Sequence, residues 1–301
     1  MHWILFNRYS AAYAAVSLSM GMMIRIFSGC FVLSLISSCY YRQAYFLSPQ
    51  NANTNPYHAI PMKKDSLKSA VFAGASFFHG SANDRGADQV YGFQGSLHRS
   101  NNFSIFQAYY GANLSLGSYQ VTDYYNYGRG YGYPNPYDSA IHIPGAGCFF
   151  GSYGVSGGIN IVVTHQHRTK YRHSEWRILG IETSLQKEFG KYSEWRDKLP
   201  DSAAEIILRK HFSAYLGLYT EWIWTNRHKT EVGFKIGLGT DLNPGSSYSN
   251  YYYYRPYILP LYCFSITYHV TKARYTGFMQ TNFGTYATNF QIGLSYRLGK
   301  K

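Results

Sequence analysis

Charge is scarce in this chain. Only 14% of its 301 residues are charged, and acids are the rarer kind, 15 against 28 Lys and Arg. A water-soluble globule carries about a quarter charged residues, so this surface is expected to meet something other than water alone. Cysteine is scarce too, at four residues with no C-x-x-C pair, which excludes a zinc ribbon and a thioredoxin-like redox motif. Past the N-terminal region there is no apolar run long enough for a transmembrane helix, which needs about 18 residues. The 29 Gly follow no collagen period, and 46% hydrophobic residues is too many for a disordered chain. What the sequence has in excess is aromatic: 19% of residues, with 32 Tyr among them.

From Met22 to Ser38 the chain reads MMIRIFSGCFVLSLISS, with Arg25 ahead of an apolar run from Ile26 to Ile36. A charged start followed by a short apolar stretch is a targeting segment rather than part of the fold. Residues 1–21 contain no acid and duplicate that role, so translation is expected to start at Met22 or Met23. The stretch ends Leu35-Ile36-Ser37-Ser38-Cys39, which resembles a bacterial lipoprotein signal. The resemblance implies a diacylglycerol on the Cys39 sulfur, cleavage before Cys39 and acylation of the new amine. Ordinary signal-peptidase cleavage nearby, with Cys39 incidental, is the alternative. Losing residues 1–38 removes Arg8 and Arg25 and no acid, so the formal charge falls from +13 to +11. An exported basic chain seldom meets nucleic acid. Outer-membrane lipid or lipopolysaccharide is the expected partner, and a glycan or an envelope protein a further one. Residues 40–67 hold three Pro and several Asn without periodicity. They are expected to be a tether, giving a division into signal (1–38), lipid-anchored tether (39–67) and body (68–301).

The body alternates. Phe290, Ile292, Leu294, Tyr296 and Leu298 share one face of their segment, and Gln291, Gly293, Ser295 and Arg297 the other. Val232, Phe234, Ile236 and Leu238 likewise oppose Gly233, Lys235, Gly237 and Gly239. Period two sustained this long predicts strands well beyond the usual five to six residues or so, near the nine to eleven or so of a tilted membrane-spanning strand. The sequence predicts strands over 68–79, 88–98, 102–117, 149–165, 173–188, 207–224, 228–240, 258–271, 273–283 and 286–298. Their connections alternate, short around 99–101, 167–170, 226–227 and 272, and mostly long elsewhere.

Small polar residues on one face and large apolar ones on the other suit a closed sheet with lipid outside. The expected fold is therefore all-β, a closed antiparallel up-and-down barrel of about ten strands. A soluble β-sandwich or lipocalin-like lipoprotein binding lipid or glycan is the alternative. The alternating pattern over 68–298, with its final Phe290–Leu298 strand, resembles bacterial outer-membrane barrels, although Leu298 stands where their last strand usually ends in an aromatic. The resemblance implies short turns and both termini in the periplasm, and long loops outside.

Few residues suggest chemistry. Two predicted loops concentrate tyrosine, seven in 119–137 and six in 248–257. Tyr124, Tyr125, Tyr127, Tyr131, Tyr133, Tyr251, Tyr252, Tyr253 and Tyr254 are the candidate ligand contacts, because Tyr stacks on sugars and hydrogen-bonds at low entropic cost. The competing reading is that these rings extend an interfacial girdle and pack on one another. Inward parity gathers Glu182, Glu188, Glu221, Lys235, His269 and Arg297 into a candidate lumen network of mutually satisfied charges. His165, His167 and His173 have a metal-like spacing but no nearby carboxylate, so a solvated turn is expected and no metal or cofactor is assigned. His211 and Ser213 with Glu221 resemble the His-x-Ser plus Glu of outer-membrane lipid A deacylases. The spacing to Glu221 departs from that family, so no catalytic residue is assigned. Asp65-Ser66-Leu67, Asp138-Ser139-Ala140 and Asp201-Ser202-Ala203 resemble the O-glycosylation pattern of Bacteroidota.

Overall fold

The computed structural model describes residues 45–49, 57–63, 67–82, 88–126, 141–166, 173–200, 203–204, 206–226, 228–242, 246–248, 261–285 and 287–299. All of them belong to one compact unit, Gln43–Lys301. In chain order the strands are β1 (Tyr45–Phe46), β2 (Ser69–Ala82), β3 (Asp88–Asn102), β4 (Phe106–Val121), β5 (Tyr124–Asn126), β6 (Ile141–Ile143), β7 (Ala146–Gln166), β8 (His173–Phe189), β9 (Ile206–Leu208), β10 (Phe212–Thr225), β11 (Thr230–Asp241), β12 (Ser246–Tyr248), β13 (Tyr262–Lys272), β14 (Tyr275–Gly284) and β15 (Ala287–Leu298). Among the described residues one helix, α1 (Lys191–Lys198), lies between β8 and β9.

Ten of these strands close into a single barrel, each antiparallel to the next. The seam is the pairing of the first long strand with the last, from Ala287 opposite Ala82 to Leu298 opposite Val71. Closure leaves the sheet no open edge. The sheet is one barrel rather than two packed layers, which removes the sandwich alternative. Strand lengths run from 10 residues in β14 to 21 in β7, as the long alternation predicts.

Short turns gather at one end of the barrel: Phe103–Ile105, Asn226–Lys229 and Ala273–Arg274. In the second, the Asn226 side-chain oxygen accepts from the backbone N–H of His228 and Thr230, an Asx-type closure. The opposite end carries the long connections with α1, β9, β12 and the β5–β6 hairpin. Several predicted boundaries shift: the strand predicted over 88–98 runs on to Asn102, and that over 149–165 starts at Ala146. The third predicted strand moves from 102–117 to Phe106–Val121, because its turn falls at Phe103–Ile105. The predicted strand 207–224 divides, since Ile206–Leu208 forms β9 outside the barrel and the wall resumes at Phe212.

The outward face is apolar throughout its middle. Phe93 is 69% exposed, Leu238 56%, Val155 55%, and Ile292 and Leu294 51% each. This is the reverse of a lipocalin-like soluble barrel, which keeps polar side chains outside. The inward face carries Ser76, Gln94, Ser115, Asn160, Gln186, Thr267, Gln280 and Gln291, all buried.

Candidate functional site in the barrel lumen

The lumen is filled from the wall. Alongside the small polar residues, Phe72, Phe78, Tyr109, Tyr119, Phe150, Tyr215, Tyr219 and Phe278 point inward and are buried. Aromatic alternation therefore does not mark lipid contact alone, as the sequence suggested. The inward glycines explain how so many rings fit. A Cβ on Gly239 would lie 2.2 Å from the Tyr215 ring, and one on Gly180 2.2 Å from the Tyr219 ring, so the rings lie flat on bare backbone.

Four ionisable side chains, with a further pair beside them, share one buried network in the short-turn half. Arg177 is its centre: Nη1 donates to Glu221 Oε2 at 2.5 Å, Nη2 lies 3.2 Å from Glu175 Oε1, and Nε donates to Gln107 Oε1 at 2.9 Å. His269 Nε2 is 2.8 Å from the other Glu221 oxygen. Next to this cluster Lys235 Nζ donates to Glu182 Oε2 at 2.6 Å and sits 4.0 Å above the Tyr219 ring. Buried charge is tolerable only when paired in this way. Of the residues predicted for this network, Glu182, Glu221, Lys235 and His269 are brought together here. Arg297 instead lines a recess with Tyr57, Ile60 and His269. Glu188 joins a separate pair, with Arg196 of α1 at the other end.

Arg177 and Glu175 are the members that alternation misses. β8 holds one extra residue relative to both neighbours: Ile161 pairs with Leu179 but Val162 with Arg177, and Glu221 likewise pairs with Arg177. Ile178 and Leu179 consequently both face outward, 40% and 46% exposed. A β-bulge of this kind reverses the parity of everything before it. Counting back from Glu182 would wrongly send Arg177 and Glu175 into the apolar belt; their charge was the available signal that they could not belong there.

The most consequential contents of the lumen come from ahead of the wall. Residues 57–62 are all buried, and they are fastened through their own backbone carbonyls. His98 Nε2 donates to Ala59 O at 2.8 Å, Arg177 Nη2 to Ile60 O at 2.9 Å, and Gln107 Nε2 to Pro61 O at 2.9 Å. The Lys63 N–H donates to Glu175 Oε2 at 2.7 Å. Tyr57 stacks on His269 with ring centres 4.8 Å apart, His58 stacks on Tyr109 at 4.8 Å, and Thr225 donates to the Met62 sulfur at 3.2 Å. The expected tether over 39–67 is therefore corrected for these residues: they are a plug in the short-turn half of the barrel. Their sequence, YHAIPMK, lacks period two because wall side chains grip its backbone rather than a strand partner.

The other mouth is capped. Phe46, Leu47, Ser48 and Pro49 are buried there, again in place of a tether. β1 pairs in parallel with β9, and β12 completes a three-stranded cap. Strand β8 turns into α1 at Gly190, whose φ of 109° favours glycine. The Tyr192 hydroxyl donates to Leu47 O at 3.1 Å, its ring stacks on Tyr119 at 3.9 Å, and Phe46 meets Trp195 edge-on at 5.0 Å. Burial pushes the Tyr192 phenol well above its usual pKa, with Arg196 beside it pulling the other way, so it stays a donor. Two recesses of about 20 Å³ each, one at either end, have room for little more than a water molecule.

The remaining predicted sites are not assembled. His211 bonds Asp197 of α1 at 2.9 Å, while Glu221 lies eight residues beyond Ser213 on β10 and is held by Arg177. At about 3.3 Å per residue that separation is roughly 26 Å, too far for a shared reaction centre. His165 and His173 end β7 and begin β8, His167 lies outside the described residues, and no metal-ligating cluster occurs among the described residues. Cys148 and Cys263 are buried and free. Tyr124 and Tyr125 belong to β5, whereas Tyr127, Tyr131, Tyr133 and Tyr251–Tyr254 lie outside the described residues, as do Cys39 and the Asp and Ser of the three glycosylation-like patterns.

No protein-family model and no curated protein matches the chain. Among solved structures it is similar to the beta domain of the Bordetella autotransporter BrkA, at 10% identity and a TM-score of 0.38 over 77% of this chain and 100% of that one. It is similar to the translocator domain of the autotransporter NalP from Neisseria meningitidis, at 10% identity and 0.33 over 77% and 89%. An outer membrane channel from Pseudomonas putida F1 aligns at 6% identity and 0.33 over 77% and 96%. Likenesses this distant transfer no function; the barrel is established by its own strand closure.

Proposed function

We propose that the chain is a lipid-anchored outer-membrane β-barrel, closed at rest, with a structural or adhesive role carried by its Tyr-rich long loops. One observation carries the membrane reading: a closed sheet whose outward face is apolar and whose inward face is polar and buried. Only such a sheet, or a helix, satisfies its backbone within lipid. In water the same surface would expose a contiguous apolar band far larger than a soluble monomer tolerates. The plug, the cap and the inward rings support a non-conducting resting state, and ten strands are fewer than the 16–18 or so of an aqueous porin. The lipid anchor is supported by the Leu35–Cys39 pattern, and the adhesive role by the tyrosine of the two long loops.

Heat-modifiable migration on a denaturing gel is expected of the membrane-extracted protein, whereas release by high salt alone would contradict the reading. Ile292→Arg, in the middle of the outward face, should destabilise the protein in lipid vesicles by about 2–4 kcal/mol. On a water-facing surface the same change would stay within about 0.5 kcal/mol. Replacing Tyr251, Tyr252, Tyr253 and Tyr254 by Ser should reduce binding of cells to lipopolysaccharide- or glycan-coated surfaces without altering heat-modifiability. Unchanged binding would leave the structural role alone.

A further inference from the structure

Two sets of amides line the middle of the lumen, and only one of them is closed on itself. Across β13, β14 and β15, Thr267 Oγ1 donates to Gln280 Oε1 at 3.0 Å, and Gln280 Nε2 to Asn282 Oδ1 at 2.8 Å. Asn282 Nδ2 completes that chain by donating to Asn289 Oδ1 at 2.7 Å. The other set centres on Gln94 of β3. It is 3% exposed, yet neither its amide nitrogen nor its amide oxygen has a hydrogen-bond partner. Asn113 Nδ2 on β4 and Ser295 Oγ on β15 are buried in the same condition. Buried polar groups are almost always hydrogen-bonded, so these three call for a partner from outside the chain.

Register brings the three together. Ser76, Gln94 and Ser115 are direct partners in one row across β2, β3 and β4. The next row toward the short turns is Ser295, Gly74, Ser96 and Asn113, across β15, β2, β3 and β4. Both rows share the inward parity, and neither holds a charged residue. Toward the long loops they end at Phe78 and Phe150, whose rings lie over Gly92 and Gly117 with centres 6.2 Å apart. Toward the short turns they end at Phe72 and His98, stacked at 5.1 Å, where His98 holds the plug. Eight strands already enclose room for side chains or one small ligand; here ten strands enclose a wall patch of mostly Ser and Gly.

We infer that this patch is a binding site for small uncharged molecules that present hydroxyl groups. Gln94 offers a donor and an acceptor, Asn113 a donor and Ser295 both, so the matching group is an oxygen that carries its own hydrogen. An ion does not fit. The neighbouring charges are already paired, Lys235 with Glu182 and Arg196 with Glu188, and a further buried charge without a counterion is costly. Water, which makes about three hydrogen bonds when buried, and the hydroxyls of a small polyol share the required chemistry. The site depends on strand closure alone, apart from the membrane reading and from the Tyr-rich loops.

Nuclear magnetic resonance of the full-length chain tests this. The protein is perdeuterated and 15N-labelled, refolded in detergent micelles with ordinary glycerol present, and returned to protonated water for measurement. Magnetisation transfer from water to the side-chain amides of Gln94 and Asn113 should be several-fold faster than to those of Gln280 and Asn282, which bond within the protein. That result alone upholds the site with water as its ligand. A cross-peak from the carbon-bound protons of glycerol to the Gln94 amide upholds it with a polyol, since those protons do not exchange with water. Transfer to Gln94 no faster than to Asn282, with no glycerol cross-peak, overturns the inference, because the Gln94 amide would then be satisfied by the protein itself.

Discussion

Arg177→Ala is expected to lower the unfolding free energy by about 3–5 kcal/mol, measured by equilibrium denaturation in lipid vesicles. The loss comes from what remains behind. Glu175 and Glu221 would stay buried without the guanidinium that faces both, and Gln107 and the Ile60 carbonyl would each lose a partner. Breaking a buried ion pair from one side is costly, whereas replacing all its members with neutral groups is often close to neutral. The triple variant Glu175→Gln, Arg177→Met, Glu221→Gln should accordingly recover most of the loss. A single alanine variant within about 0.5 kcal/mol of the parent, the range of an ordinary surface change, would show that the network is hydrated and not buried.

Removing residues 43–66 is expected to turn a silent barrel into a conducting one. Two recesses of about 20 Å³ each lie at the two ends of the lumen, among the described residues. Without the plug, His98, Gln107, Glu175 and Arg177 lose the backbone groups they now hold. Those polar side chains would line a wetted path, because buried polar groups left without partners are costly and recruit water. Planar-bilayer recordings should show discrete conductance steps from the truncated protein and none from the parent. A truncated barrel that keeps its heat-modifiable band yet stays silent would mean that the inward rings, not the plug, close the lumen.

The wall was legible in the sequence because lipid imposes a strict pattern. Phe290 to Leu298 alternates without a fault, and the strand it predicts pairs with both neighbours along its length. Glu182, Glu221, Lys235 and His269 were legible for the same reason, since charge on the small-residue face has few places to go. Three features were not. Arg177 and Glu175 lay beyond the extra residue at Ile178, where parity changes without a compositional mark. Phe78, Tyr119 and Tyr219 looked like more of the aromatic excess, although the glycines opposite such rings were a signal that side chains approach from within. Tyr57–Lys63 had no periodicity because nothing in its own side chains specifies a strand; wall residues from at least six strands, β3, β4, β7, β8, β10 and β13, hold it. Its uncharged run from Tyr57 to Met62 was the one hint that it is buried.

A nitroxide label placed in turn at Phe290, Ile292 and Leu294, in protein reconstituted into vesicles with its native cysteines replaced by alanine, tests the membrane reading most directly. Collision with dissolved oxygen reports lipid, and collision with a water-soluble nickel chelate reports solvent. A barrel that spans the bilayer gives oxygen-dominated relaxation at all three outward positions and nickel-dominated relaxation at Asp123 and Ala273. Nickel access at Ile292 equal to that at Asp123 would contradict it, because an outward face open to water cannot be the lipid-facing wall of a membrane barrel.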